Sequence, residues 1–157
     1  MLVSTRATSQ PASIKQAEFG DLASIVRIEK QSFDHDAWDR ELFLGYLARS
    51  DRSVFLVAAI GRKVVGYALA FHSPTRAELH SIAVAPGARG RGIAAALLRR
   101  VFALLRRRGF ETVSLNVRLE NEAAVRLYRK LGFRRVRRVD GYYEDGAPAW
   151  RMRRSVR

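Results

Sequence analysis

SIAVAPGARGRGIAAALLRR, residues 81–100, decides how this chain is read. A short apolar, strand-like segment passes through a Pro-Gly turn and two further glycines into an unbroken helical pattern, with Arg89 and Arg91 among the glycines. Backbone N–H groups gathered at a strand-to-helix turn form a cradle for an anion, and the positive end of the helix dipole adds to it. Glycine lets an anion approach with no Cβ in the way, and arginine supplies charge-assisted donors. The expected ligand is a phosphate or pyrophosphate.

Working outward, SIKQAEF (13–19) alternates and reads as a first strand. A helix follows, with Asp21 as its N-cap and Leu22, Ile25, Val26 and Ile28 at helical spacing. WDRELFLGYLA (38–48) is a second helix, and SVFLVAAI and KVVGYALAFH flank Gly61-Arg62 as a hairpin. AELHSIAV (77–84) is a fourth strand, and the long helix after the loop is closed by Gly109. TVSLNVR (112–118) is a fifth strand, before a helix capped by Asn121 and stopped by Gly132. FRRVRRVD and APAWRMRR are two more strands around GYYEDG. The order β-α-α-β-β-β-α-β-α-β-β puts a single βαβ unit between antiparallel meanders. That is a mixed α/β (α+β) sheet, not a doubly wound one.

The 157 residues suit one core. MLVSTRATSQPAS lacks an apolar signal segment, so residues 1–12 read as a disordered lead-in to a single domain over 13–157. The chain has no cysteine, and His35, His72 and His80 have no zinc-like spacing, so no metal is expected. No apolar run is long enough for a membrane span, and a cytoplasmic location is expected. The net charge of +14 is uneven: residues 1–50 carry six Lys/Arg against seven Asp/Glu, and residues 101–157 fifteen against six. Coding bias on a solvated surface, attraction to a polyanion such as RNA, and attraction to an anionic cofactor are three open accounts.

Two phosphate motifs fail. Gly87 and Gly92 have P-loop spacing, but Ile93 and Ala94 follow where Lys and Ser/Thr are needed. Gly90, Gly92 and Ala95 fit a dinucleotide fingerprint, with Glu111 near the ribose-acid position, but APGAR separates them from the strand end. By contrast, Arg89-x-x-Gly92-x-Ala94 after IAVAP resembles the acyl-CoA loop of the GNAT N-acetyltransferase superfamily. NVRLENEAAVRLYRKLGF (116–133) resembles that superfamily's second segment, with Asn121, Ala124, Leu127, Tyr128, Gly132 and Phe133 in register. The likeness covers about residues 13–154. EKQSFDHDAWDRELF and GYYEDGAPAWRM resemble the branch that acetylates protein N-terminal amines, ribosomal-protein alanine acetyltransferases included.

The resemblance implies a GNAT fold and acetyl-CoA as co-substrate, with direct transfer to a primary amine and no metal. It implies splayed fourth and fifth strands, with the backbone of Ile82, Ala83 and Val84 pairing with the pantetheine arm. The pyrophosphate would lie on Arg89, Gly90, Arg91, Gly92, Ile93 and Ala94, with Asn121 and Tyr128 also at the cofactor. Tyr128 matches the general acid, or else packs on the core. Asn116 stands where the branch often has a Glu, and an amide takes no proton at neutral pH. The base then falls to Glu78, where some GNAT enzymes carry a fourth-strand Glu, or to His80 on the same face. Each also reads as structure: Glu78 as a strand-edge charge, His80 as a satisfied half-buried ring. Phe33, Trp38, Tyr142 and Tyr143 would wall the acceptor. Asp34, Asp36, Asp39, Asp140, Glu144 and Asp145 would make its mouth acidic and attract a cationic amine. The expected acceptor is a protein N-terminal (or lysine) amine, possibly ribosomal. A small amine or polyamine, or a non-catalytic CoA- or RNA-binding module, stays open. No membrane partner or sequence-specific nucleic-acid contact is expected, and the chain is read as a monomer or homodimer.

Overall fold

A computed structural model describes residues 10–33 and 37–157. Most of the expected lead-in, and Asp34, His35 and Asp36, lie outside the described residues; of residues 10–12, Ala12 packs against the core. The elements are β1 (Ser13–Gln16), α1 (Leu22–Ser32), α2 (Arg40–Leu47), β2 (Ser53–Ile60), β3 (Lys63–His72), β4 (Ala77–Val84), α3 (Ile93–Arg107), β5 (Thr112–Arg118), α4 (Glu122–Lys130), β6 (Arg134–Val139) and β7 (Ala149–Ser155). They form one mixed sheet in the order β1-β2-β3-β4-β5-β7-β6. Among the described residues, only the β4–β5 pair is parallel. This is the expected α/β arrangement, with α3 as the crossover that a parallel pair requires.

The sheet separates two cores. On one face Leu97, Leu98, Val101 and Leu105 of α3 and Val125 of α4 pack on Leu79, Ile82, Val113 and Leu115. On the other, Leu22, Ile25 and Ile28 of α1 and Phe43 of α2 pack on Phe55, Tyr67 and Leu69. Buried on both sides, β2 and β3 read as continuous apolar runs. α1 and α2 make their main sheet contacts with β2, β3 and β4.

Two local expectations change. β1 ends at Gln16, short of residue 19, because a 3-10 turn over Phe19–Asp21 follows. Asp21 does not cap α1 with its side chain; its carboxylate accepts instead from Glu18 N–H at 2.8 Å and closes that turn. Asn121 does cap α4, accepting from Ala124 N–H at 3.1 Å.

Candidate active site

Within the sheet the wedge is the feature that makes a site. β4 and β5 share one register pair, Glu78 with Ser114. On their outer sides both strands stay paired, β4 with β3 out to Val84 and β5 with β7 out to Arg118. Past Glu78 the two strands therefore diverge and leave facing backbone edges unpaired. The gap opens into a cavity of about 820 Å³ lined by Ile82, Ala83 and Val84, by the loop into α3, by Ala123, Ala124 and Leu127 of α4, and by Leu131 just past that helix. Leu127 is 41% exposed, a large apolar side chain left facing this space.

At the mouth of the gap, Pro86–Ala88 forms a 3-10 turn, and Gly90 and Gly92 take φ of +79° and +76°, which side chains with a Cβ rarely adopt. A Cβ on either glycine would meet nothing within 4 Å, so the space above the loop is open. Among the described residues, the N–H groups of Gly90 to Ala95 donate to no protein acceptor. Those of Ile93 and Ala94 are free because a helix leaves its first N–H groups unsatisfied. Arg89 differs from the expectation of a phosphate-holding side chain. Its Nε donates to Val84 O at 2.9 Å and its guanidinium to Ser32 Oγ at 3.2 Å, so it braces the end of β4 against α1. Arg91 is exposed and lies outside the cavity lining.

A β-bulge sets the polar side of the wedge. Ser81 pairs with Leu69 and Leu79 with Ala70, which leaves His80 as the extra residue. Leu79 before the bulge and Ile82 after it both enter the α3-side core, so the strand's alternation inverts between them. Glu78, His80 and Ser81 consequently all face the α1–α2 side. There Glu78 Oε2 lies 3.7 Å from His80 Nε2, and Arg151 donates to Glu78 Oε1 at 3.3 Å. His80 Nδ1 lies 3.0 Å from the Tyr46 hydroxyl, and the ring is enclosed by Trp38, Tyr46 and Phe71. Burial lowers its pKa below 6.5, with Glu78 opposing, which leaves a neutral imidazole at pH 7.

Next to it Ser81 joins a buried cluster that the sequence reading passed over. Glu29 of α1, 2% exposed, accepts from the Tyr67 hydroxyl, from Ser81 Oγ at 3.4 Å and from Trp38 N–H at 3.2 Å. Burial pushes its carboxyl from an ordinary 4.5 to about 7, against the hydrogen bonds from Trp38 and Ser81. The signal was present: Glu29 follows Ile25 by four residues on the buried stripe Leu22, Ile25, Ile28. Tyr46, Ser81 and the α4 wall were missed with it.

Tyr128 of α4 packs edge-on against Phe133, with ring centres 5.8 Å apart. Burial, then Tyr143 and Glu29, pushes its hydroxyl up to about 12. Asn116 of β5 donates from Nδ2 to the Tyr142 hydroxyl at 3.2 Å, while its Oδ1 is buried with no partner among the described residues. Tyr143 meets Tyr142 edge-on at 4.9 Å and carries Arg118 over its ring at 4.1 Å. Phe33 and Trp38 are half-buried against the α1–α2 core, and Trp38 stacks on Tyr46 at 5.7 Å. Asn121, expected at the cofactor, has its carboxamide oxygen engaged in capping α4.

The expected acidic mouth is largely neutralised where it is described. Asp39 caps α2, Asp140 pairs with Arg138 at 2.7 Å, and Asp145 pairs with Arg118 at 2.9 Å. Among the described residues no group of His, Cys, Asp or Glu is arranged to hold a metal ion, and no helix is long and apolar enough to cross a membrane.

Known proteins share this arrangement. The chain is 36% identical to the N-alpha-acetyltransferase RimI of Mycobacterium tuberculosis over 94% of its own length and 95% of that protein's. The structure of Ard1 from Thermoplasma volcanium superposes with a TM-score of 0.84 at 28% identity, covering 94% of this chain and 99% of that one. The ribosomal-protein-S18-alanine N-acetyltransferase of Escherichia coli does so with a TM-score of 0.80 at 28% identity, covering 92% and 94%. A further relative, the uncharacterized protein ML0378 of Mycobacterium leprae, is 35% identical over 96% of this chain, which spans only 42% of that protein. Residues 19–133 match the Acetyltransferase (GNAT) family, and with the wedge, the open N–H loop and these relatives in agreement, the chain belongs to that family.

Proposed function

We propose that this chain transfers the acetyl group of acetyl-CoA to the α-amine of a protein N-terminus. The residues present fit an acyl-CoA. The unpaired β4 edge at Ile82–Val84 would take the pantetheine arm as an added strand, and the free N–H groups from Gly90 to Ala95 would take the pyrophosphate. Bound there, acetyl-CoA supplies a thioester carbonyl as the acyl donor.

The observation that carries the acceptor is the orphaned Asn116 Oδ1. A buried acceptor without a donor costs about 1–3 kcal/mol. An amine N–H at the wedge removes that cost, so Asn116 orients the nucleophile without taking its proton. Glu78 and His80, 3.7 Å apart, form the base, with Arg151 fixing the carboxylate and Tyr46 the ring. As the amine nitrogen bonds to the acetyl carbon and the carbon–sulfur bond breaks, Tyr128 gives its proton to the departing thiolate. Phe33, Trp38, Tyr142 and Tyr143 wall the acceptor. The E. coli neighbour makes a ribosomal-protein N-terminus the first substrate to try. Release of free CoA with peptide, polyamine and small-amine acceptors tests this reading. Turnover with free-amine peptides, and none after their α-amine is blocked, supports it.

A further inference from the structure

A second cavity, of about 670 Å³, lies on the other side of the Glu78–Ser114 pair from the wedge, and no residue of α1 or α2 lines it. It is framed by the β3–β4 turn, the α3–β5 loop and strands β5 to β7. Five arginines line it, Arg76, Arg108, Arg137, Arg151 and Arg153, against two glutamates. Both glutamates are already matched, Glu78 by Arg151 at 3.3 Å and Glu111 by Arg157 at 3.3 Å. The other four arginines have no carboxylate partner among the described residues. Arg108 donates to Ser53 O and lies against His72 Nε2, each at 3.0 Å, and Arg153 donates to Ser114 Oγ at 3.4 Å. Arginines on the loop side behave differently: Arg118 and Arg138 each have an aspartate. Four unmatched cations thus line a concavity that begins at a residue of the proposed base.

We infer that this cavity receives acidic side chains of the acceptor polypeptide downstream of its amine, so that the enzyme selects N-termini followed by Asp or Glu. The inference rests on the N-terminal reading above. Arg151 lies opposite Asn116 and Arg153 opposite Ser114, two residues back along β5. At about 3.4 Å per extended residue, a chain whose amine meets Asn116 and that runs back along β5 brings roughly its third residue to Arg153, while Arg137, opposite Arg151 on β6, is within reach of residues that turn across β7. A carboxylate there meets planar, always-charged donors already partly fixed in place. A concave site that shares Glu78 with the proposed base favours a segment of the substrate itself over a separate polyanion.

Peptides sharing their first two residues and carrying Asp, Ser or Lys at positions three to five test this, with kcat/KM read from CoA release. The acidic peptide is expected to exceed the Lys peptide by about tenfold or more, through KM, with the ratio shrinking as salt rises. The Arg137→Gln/Arg153→Gln double variant is expected to bring that ratio close to one, while Arg99→Gln, on the exposed face of α3, leaves it unchanged. Equal kcat/KM across the three peptides overturns the inference and leaves the N-terminal reading standing. Turnover of none of them overturns both. Stronger inhibition by a single-stranded RNA than by an amine-blocked acidic peptide of equal charge overturns the inference in favour of a nucleic-acid surface.

Discussion

Glu78 and Ser114 form the one register pair between β4 and β5 among the described residues, and the two cavities lie on either side of it. Above the pair, the strands separate and expose backbone where a pantetheine arm would add. Below it, arginines crowd around a carboxylate that is already matched. The pair is thus the hinge of the wedge, and its glutamate is also part of the proposed base.

The loop at the top of the wedge makes the first prediction. Gly92 has φ of +76° and open space where a Cβ would go. Gly92→Val forces a β-branched residue into a left-handed conformation and fills that space. Acetyl-CoA affinity is expected to fall about 10–100-fold, the equivalent of one or two hydrogen bonds to a charged group. Gly87→Ala, where the backbone is ordinary, is expected to bind almost as wild type does. Calorimetry on both proteins, with circular dichroism for folding, decides it. A folded Gly92→Val protein with unchanged affinity removes the pyrophosphate from this loop.

Tyr128 is expected to keep its proton across the physiological range, because its pKa is pushed up to about 12. It can then donate only as negative charge develops on the leaving sulfur. Tyr128→Phe is expected to lower turnover by about 10²–10⁴-fold with little change in acetyl-CoA affinity. Normal turnover in that variant reduces Tyr128 to its packing against Phe133.

How far these roles could be read in advance depends on the kind of signal. The fold was legible because the β4–α3–β5 unit carries its own punctuation: apolar strand, Gly-rich turn, amphipathic helix, Gly109. Gly92 and Asn121 were legible for the same reason, since turn and cap chemistry is local. What was not legible is tertiary. Arg89 looks like an anion ligand in sequence, yet its guanidinium turns back onto Val84 O. The bulge at His80, which puts Ser81 on the same face, comes from β3–β4 register and leaves no mark in AELHSIAV. Glu29 sits in the charged string RIEKQ, and only its helical phase with Ile25 hints that it is buried.

The base gives a pH prediction. Lowered below 6.5, His80 is neutral at pH 7 and gains a proton only in more acidic solution. The rate is therefore expected to rise with pH along a limb below 6.5 and then level off. Glu78→Gln is expected to lower the plateau more than His80→Gln does, and Asn116→Glu to be tolerated or faster, since it adds a carboxylate to the wedge. Profiles of kcat with a good peptide substrate check this. A Glu78→Gln profile that overlays wild type assigns the base elsewhere.

Glu29 gives a stability prediction with a definite sign. Its folded pKa of about 7 lies above the ordinary 4.5, so between those values the folded state holds a proton that the unfolded state has lost. Stability from this group is fully present below pH 4.5 and is lost as pH rises through 7. At 1.36 kcal/mol per pH unit the loss is roughly 3 kcal/mol. Glu29→Gln keeps an acceptor for Tyr67, Ser81 and Trp38 but cannot ionise. The difference in Tm between wild type and variant is expected to shift in the variant's favour from pH 5 to pH 8. Parallel curves would falsify the assignment of a shifted carboxyl to this site.

Site-resolved mass spectrometry of a peptide bearing both a free N-terminus and an internal lysine, incubated with the protein and acetyl-CoA, tests the account most directly. The account predicts one acetyl group, on the α-amine, with stoichiometric release of CoA and loss of the product in Tyr128→Phe. Acetylation confined to the lysine or to a small amine added alongside, or no CoA release from any amine, contradicts it.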